Sequence, residues 1–445
     1  MKNSMMRMST LAAAILAASP VMAGGFDKSD HSFGILFGDD NVITTSFSQT
    51  SVQAHGTATQ LRNNNPLATT TSVSTGEIVS DINSPEIAFR FNINENVTCA
   101  AKFEQPYGAE VAYEDDTLAY AELEFGDVGN GEIGVIGGEG ITAPIATEYE
   151  SESLTVGCGY DFALSTGKLT VIAGPKVQKI NGFFSEDLSP DAGDDDLDVS
   201  LDGGTEVGYI LGAAYSIPEI ALRASIIYHS QIDYDADGTV KVGQDVLGFE
   251  TTGTAKTFTP QTIEIALQSG VAENTLAFFN VRWSEYSKLK DLQVNGDGSA
   301  TPAALGGATL DEYSASVGGA IDGLINPEVS LFDNDTLDLG IGMGRQLTDK
   351  LSLGLGYSTS IKLGSKPAGT PDGADTDDIR LPASDTQTLS FGGEYTVLKG
   401  FTVNGGIAYT LLDSYTAEDP EDNGLRLRYK QTEATSFQVG MSYAL

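Results

Sequence analysis

Leu351, Leu353, Leu355, Tyr357, Thr359, Ile361 and Leu363 alternate with Ser352, Gly354, Gly356, Ser358, Ser360 and Lys362. One face is apolar throughout and the other is small or polar, which is the period of a strand and not of a helix. Phe401, Val403, Gly405, Ile407, Tyr409 and Leu411 repeat the pattern, as do Phe437, Val439, Met441, Tyr443 and Leu445 at the end of the chain. Strands of soluble sandwiches run to about 5 or 6 residues. These approach the 9 to 11 or so that a tilted strand needs to cross a bilayer. An apolar outside with a small, polar inside is the pattern of a transmembrane barrel.

The spacing of turns points the same way. Very short connections at 92–96, 165–168, 217–219, 269–274, 347–350 and 398–400 alternate with long polar ones near 52–84, 105–150, 181–205, 232–257, 288–334, 364–384 and 413–429. Short turns at the periplasmic end and long loops outside are what outer-membrane barrels show. The pattern predicts an all-β fold, an antiparallel barrel of fourteen strands over residues 42–445. The strands fall at 42–51, 85–93, 96–104, 151–163, 168–180, 206–216, 219–231, 259–268, 275–287, 335–346, 351–363, 385–397, 401–412 and 430–445. Closure satisfies every backbone group within lipid.

The first 23 residues have the form of a cleaved signal peptide: cationic Lys2 and Arg7, a short apolar run at 11–18, and Val21-Met22-Ala23 before Gly24. The expected location is therefore the outer membrane of a Gram-negative bacterium. Residues 24–41 precede the first strand and carry Phe26, Phe33, Ile35, Leu36 and Phe37, an apolar group poorly suited to water. The expectation is a short plug lying in the lumen.

Lys plus Arg is 24 and Asp plus Glu is 62, a formal charge of −38. A chain this acidic repels nucleic acid, so no nucleic-acid partner is expected. The acidic residues crowd the long connections: Asp191, Asp194, Asp195, Asp196 and Asp198; Asp372, Asp375, Asp377 and Asp378; Glu418, Asp419, Glu421 and Asp422. Such loops offer oxygen ligands to divalent cations, yet DAGDDDLD lacks a twelve-residue calcium loop with its terminal Glu. They read first as a solvated surface, and no metal site or cofactor is assigned. Cys99 and Cys158 lie on consecutive predicted strands, sharing faces with Val97 and Phe103 and with Val156 and Tyr160. A cross-strand disulfide and two separate small apolar residues both fit that placement.

Three segments resemble the long-chain fatty acid transporter (FadL/TodX-type) family of outer membranes: QPYGAEVAY after an early strand; LAFFNVRWSEYSKLK, residues 276–290; and LPASDTQTLSFGGEYTVLKGFTVNGGIAYTLLD, residues 381–413. The end of the chain, with Gln438, Gly440, Tyr443 and Leu445, resembles the C-terminal assembly signal of such proteins, with Leu where Phe is usual. The resemblance implies a monomeric barrel closed by an N-terminal plug and set in outer-membrane lipid and lipopolysaccharide. Hydrophobic small molecules such as long-chain fatty acids would bind inside and leave sideways through the wall, where an early strand kinks. Gln105, Pro106, Tyr107 and Gly108 sit at that place: proline removes a ladder donor and glycine thins the side-chain layer. Strand ending and loop start is the plainer reading of the same residues. The family's Asn-Pro-Ala plug motif is not found between Gly24 and Asn41.

Three other functions compete. An enzyme needs an activated nucleophile, and the only histidines are His31, His55 and His229. His229 and Ser230, adjacent on a strand, point to opposite faces, and no GxSxG or HExxH occurs; no enzyme is expected. A general diffusion porin and a surface adhesion or structural barrel remain as alternatives. Arg223 and Arg282 fall on the lumen side by parity, as candidates for contact with a carboxylate headgroup or with a lumen carboxylate such as Glu394. Trp283, Tyr286 and Tyr357 are read as aromatics of the interfacial girdle.

Overall fold

In the computed structural model, residues 27–29, 31–38, 41–60, 72–112, 124–127, 133–137, 143–188, 196–244, 246–289, 291–331, 334–364, 384–418, 425–429 and 431–445 are described. The signal sequence, Phe26 and most of the acidic runs lie outside them. Fourteen strands form the wall: β1 (Val42–Gln53), β2 (Ile82–Asn94), β3 (Val97–Glu104), β4 (Ala143–Ala163), β5 (Lys168–Asp187), β6 (Asp196–Ile217), β7 (Leu222–His229), β8 (Thr262–Ala272), β9 (Thr275–Ser284), β10 (Asp335–Gln346), β11 (Leu351–Leu363), β12 (Thr386–Leu398), β13 (Phe401–Leu412) and β14 (Thr432–Ala444). Each pairs antiparallel with the next, and β14 returns to β1 in continuous register from Val42↔Ala444 to Gln53↔Glu433, which closes the barrel.

The alternation sorts the side chains as the sequence predicts. Leu355 is 54% exposed, Phe391 48% and Val439 62%, whereas Ser360 and Thr388 are 2% exposed and Thr410 0%. Large apolar groups face outward on nearly every strand while hydroxyls face inward, the inverse of a water-soluble core. A contiguous apolar belt of this size calls for hydrocarbon around it.

Where strand ends differ from the sequence reading, local geometry accounts for it. The expected strand at 219–231 starts late, at Leu222, because Pro218–Ile220 form a 3-10 turn and Ala221 takes the left-handed conformation at φ 51°. Residues 181–205, read as a long polar connection, instead extend the β5–β6 ladder outward as far as Asp187↔Asp196. Outside the bilayer nothing obliges pairing to stop. The connections at 232–257 and 288–334 also fold. Ile232–Val242 pairs with Phe249–Thr259, and a second connection contributes Asp291–Gly296, two short helices and Glu328–Ser330. Val199, Val240, Phe249, Val294, Leu310, Ile321 and Leu324 bury one another in an apolar core over the long-loop end. Tyr286, expected in the girdle, is 0% exposed within this core, because the chain turns inward after β9 ends at Ser284.

Cys99 and Cys158 are direct register partners and are joined as a disulfide between β3 and β4. With a sequence separation of 59, unfolded-chain entropy gives such a link about 4 kcal/mol of stabilisation. The double change Cys99→Ser with Cys158→Ser is expected to lower the temperature at which the barrel unfolds in detergent, read by heat-modifiable migration. An unchanged midpoint would show that the barrel wall alone holds this seam.

Candidate functional site

Residues 27–29 and 31–38 lie inside the ring of strands. Phe33 and Leu36, 1% and 3% exposed, pack with Ala100, Ile172, Ile210 and Ile227, and the half-buried Ile35 and Phe37 lie against that cluster. The segment can sit this close because Gly157 on β4 has no side chain: a Cβ there would come within 2.7 Å of the Phe33 ring. Between these contacts Gly34–Leu36 forms one turn of 3-10 helix.

Polar groups on the wall hold the backbone of the segment. Arg90 donates to the carbonyls of Phe37 at 2.8 Å and Ile35 at 3.4 Å. Lys102 donates to the carbonyl of Ser32 at 2.8 Å while paired with Glu104 at 2.9 Å and Glu86 at 3.2 Å. The Ser29 hydroxyl donates to Glu104 at 2.7 Å. Arg282 lies between Asp27 at 3.1 Å and Asp338 at 2.7 Å, and also donates to the carbonyl of Ser29 at 3.2 Å. His31 meets Asp27 through Nε2 at 2.6 Å. Burial first, and then the positive charges of Arg282 and Lys176, hold His31 well below the ordinary imidazole value. It is therefore neutral at physiological pH and shares a hydrogen bond with Asp27. The site holds cations and carboxylates in hydrogen-bonded sets, as buried charge requires.

Arg223 and Arg282 both face the lumen, as parity predicts. Arg223 lies 4.5 Å from the Phe37 ring centre and donates to Gln268 at 2.8 Å, and Arg282 holds Asp27 and Asp338. Their partners are thus the N-terminal segment and neighbouring strands rather than Glu394.

The wall is broken beside this segment. β3 pairs with β4 from Val97↔Tyr160 to Glu104↔Ser153, and Gly108–Ala112 pairs with β4 again from Gly108↔Glu150. Gln105, Pro106 and Tyr107 therefore oppose only Ser151 and Glu152, a one-residue bulge that bends the strand. The extra residue reverses parity: Phe103 is outward and 38% exposed, whereas Val111, with the same odd number, is 1% exposed and inward. On the other side, β2 pairs with β3 up to Glu86↔Glu104, and pairing resumes only at Ser80 N to the Glu110 carbonyl and the Val79↔Val111 bridge. Among the described residues no backbone pair joins 81–85 to 105–109. The N-terminal segment touches this break directly: Lys28 N donates to the Pro106 carbonyl at 2.8 Å, and Asp27 bridges Tyr107. Gly108 belongs to the same contact, for a Cβ on it would collide with Lys28 Cδ.

Lys102, Glu104, Lys176 and Asp338 escaped the sequence reading. A signal was present for the first two: in the run CAAKFE, charges occupy the inward positions on either side of outward Phe103. Their partner, a loop distant in sequence, left no local trace.

A family model described as outer membrane protein transport protein (OMPP1/FadL/TodX) matches residues 35–445. The chain belongs to this family. It is an outer-membrane transporter of hydrophobic molecules. Among solved structures, a Pseudomonas aeruginosa FadL homologue is similar at 12% identity and a TM-score of 0.70, covering 97% of this chain and 98% of that one. The Pseudomonas putida toluene transporter TodX is similar at 13% identity and a TM-score of 0.56, with coverages of 97% and 98%. A TodX monoaromatic hydrocarbon channel mutant has 11% identity, a TM-score of 0.57, and coverages of 96% and 98%. At such identities the shared feature is the fold. No curated protein sequence matches.

Proposed function

We propose that this FadL/TodX-family barrel passes long-chain fatty acids and kindred lipophiles passively from the outer surface into the membrane. The N-terminal segment 24–41 acts as its plug and the break at Gln105, Pro106, Tyr107 and Gly108 as its side door. The observation that supports the reading best is the interrupted ladder between β2 and β3, with the N-terminal segment bonded to it at Pro106. Unpaired peptide groups facing lipid are strongly disfavoured. A break at membrane depth is tolerable where it borders a lumen. A lipophile gains about 0.8 kcal/mol for each methylene removed from water. Entry therefore needs no energy coupling and no cofactor, and exit sideways keeps the chain out of water throughout.

The mature protein would start at Gly24 after removal of the leader. It would act as a monomer with outer-membrane lipid and lipopolysaccharide against its apolar belt. Arg223, beside Phe37, is the wall residue placed to meet an acidic headgroup once the plug shifts. Cells lacking their own fatty-acid uptake and expressing this chain are expected to take up labelled oleate in proportion to barrel content, without taking up a small labelled sugar. Sugar uptake at a comparable rate would instead make it a general diffusion porin. Uptake of labelled toluene with none of oleate would replace the fatty acid by a monoaromatic substrate, the class carried by the TodX relative.

A further inference from the structure

One rung of the lumen wall is polar, buried and unpartnered. His229 on β7, Thr262 on β8, Ser284 on β9 and Thr336 on β10 are consecutive register partners: His229↔Thr262, Thr262↔Ser284, Ser284↔Thr336. All four take inward positions, with exposures of 5%, 1%, 0% and 1%. Both ring nitrogens of His229 and the hydroxyls of Thr262, Ser284 and Thr336 have no hydrogen-bond partner among the described residues. The rung below is Ile227, Glu264, Arg282 and Asp338, in which Arg282, paired with Asp338, holds the N-terminal segment through Asp27 and Ser29. The unpartnered row therefore stands about 6–7 Å nearer the loop end than the plug's anchor.

Burying one hydroxyl without a partner is unfavourable, and three hydroxyls and an imidazole unpartnered in register are not explained by filling space. Valine in place of Thr262 or Thr336, or alanine in place of Ser284, would fill the same volume with no unmet bond. We infer that this row binds the oxygen of an oxygenated lipophile, a neutral alcohol, phenol or ketone, and so biases the barrel toward hydrophobic solutes that carry one hydrogen-bonding group. The hydroxyls both donate and accept, and His229 offers one donor and one acceptor, so the row suits a neutral oxygen and provides no full charge for an anion. The apolar remainder of the solute would take the place of Phe33 and Leu36 along Ile172, Ile210 and Ile227, as the N-terminal segment shifts. This inference rests on the transport reading above.

The test is binding of 1-decanol and of undecane to the full-length mature protein in detergent, for the wild type and for Thr262→Val combined with Ser284→Ala. Both changes nearly preserve volume, and heat-modifiable migration verifies that the variant barrel is assembled. The wild type is expected to prefer the alcohol. The variant is expected to bind 1-decanol about tenfold more weakly, the effect of one lost hydrogen bond to a buried partner, with undecane affinity unchanged. His229→Leu should act in the same direction. Water is the competing occupant of the row. If water fills it, the wild type and the variant treat the two solutes alike, and that result overturns the inference while leaving transport intact. Binding of neither solute overturns the transport reading and this inference with it.

Discussion

Replacing Arg282 with Ala is expected to open the barrel, raising its single-channel conductance toward that of a chain lacking residues 25–38. The guanidinium is 4% exposed and serves Asp27 and Asp338 together. Its removal leaves two carboxylates buried without their cation, a loss on the order of 3–5 kcal/mol. Burial of Phe33 and Leu36 contributes about 1.5–3 kcal/mol each. The two contributions are comparable, so the apolar contacts alone cannot hold the segment as firmly as both do together. A loss of that size shifts the balance between seated and released segment by roughly two to four orders of magnitude. Arg282→Lys keeps the charge but not the fork that spans both carboxylates, and should fall between. If deletion of residues 25–38 raises conductance while Arg282→Ala does not, the anchor lies elsewhere, in Arg90 or Lys102. If the deletion itself changes nothing, the segment is not a plug.

Removing the bulge is expected to abolish sideways release while sparing the barrel. Deleting Gln105 and replacing Pro106 by Thr leaves two residues opposite Ser151 and Glu152, restores a donor, and makes the count between Glu104 and Gly108 equal on both strands. Parity is then continuous from β3 into Gly108–Ala112, and the donor restored at position 106 is available to β2. Between Glu86↔Glu104 and Val79↔Val111 the count goes from six on each strand to six on β2 against five, an offset of one residue that a bulge on β2 absorbs as the ladder closes. Oleate uptake should fall at least about tenfold, as for a gate whose open state is lost, whereas heat-modifiable migration should remain that of a folded barrel. Uptake at the wild-type rate in this variant would mean that substrate leaves by another route, most simply down through the periplasmic end.

The strands were legible because each declares itself within about a dozen residues. β11 coincides with its predicted range at 351–363, and β13 at 401–412. The run CAAKFE carried the same kind of signal for an inward Lys102 and Glu104, but it was not used, because nothing local says what such charges would meet. Tyr286 was misassigned because it follows a strand in sequence but turns into the extracellular core, a direction that no period-two pattern encodes. Val111 shows a subtler limit of such patterns. Its alternation continues that of Phe103, yet the bulge turns it to the other face. A one-residue insertion in a ladder is defined by the partner strand, and β4 lies some forty residues away in the chain.

Hydrophobic alternation, strand length and turn spacing were therefore enough to establish a fourteen-stranded barrel in lipid, because side-chain parity is a local property repeated on every strand. The meeting of Asp27, Arg282 and Asp338, the disulfide across β3 and β4, and the contact of Lys28 with the broken ladder at Pro106 came from closure of the wall. Closing a sheet sets inward residues from distant strands at the same height around one lumen. Their separations in the chain carry no periodic signal from which that height could be read.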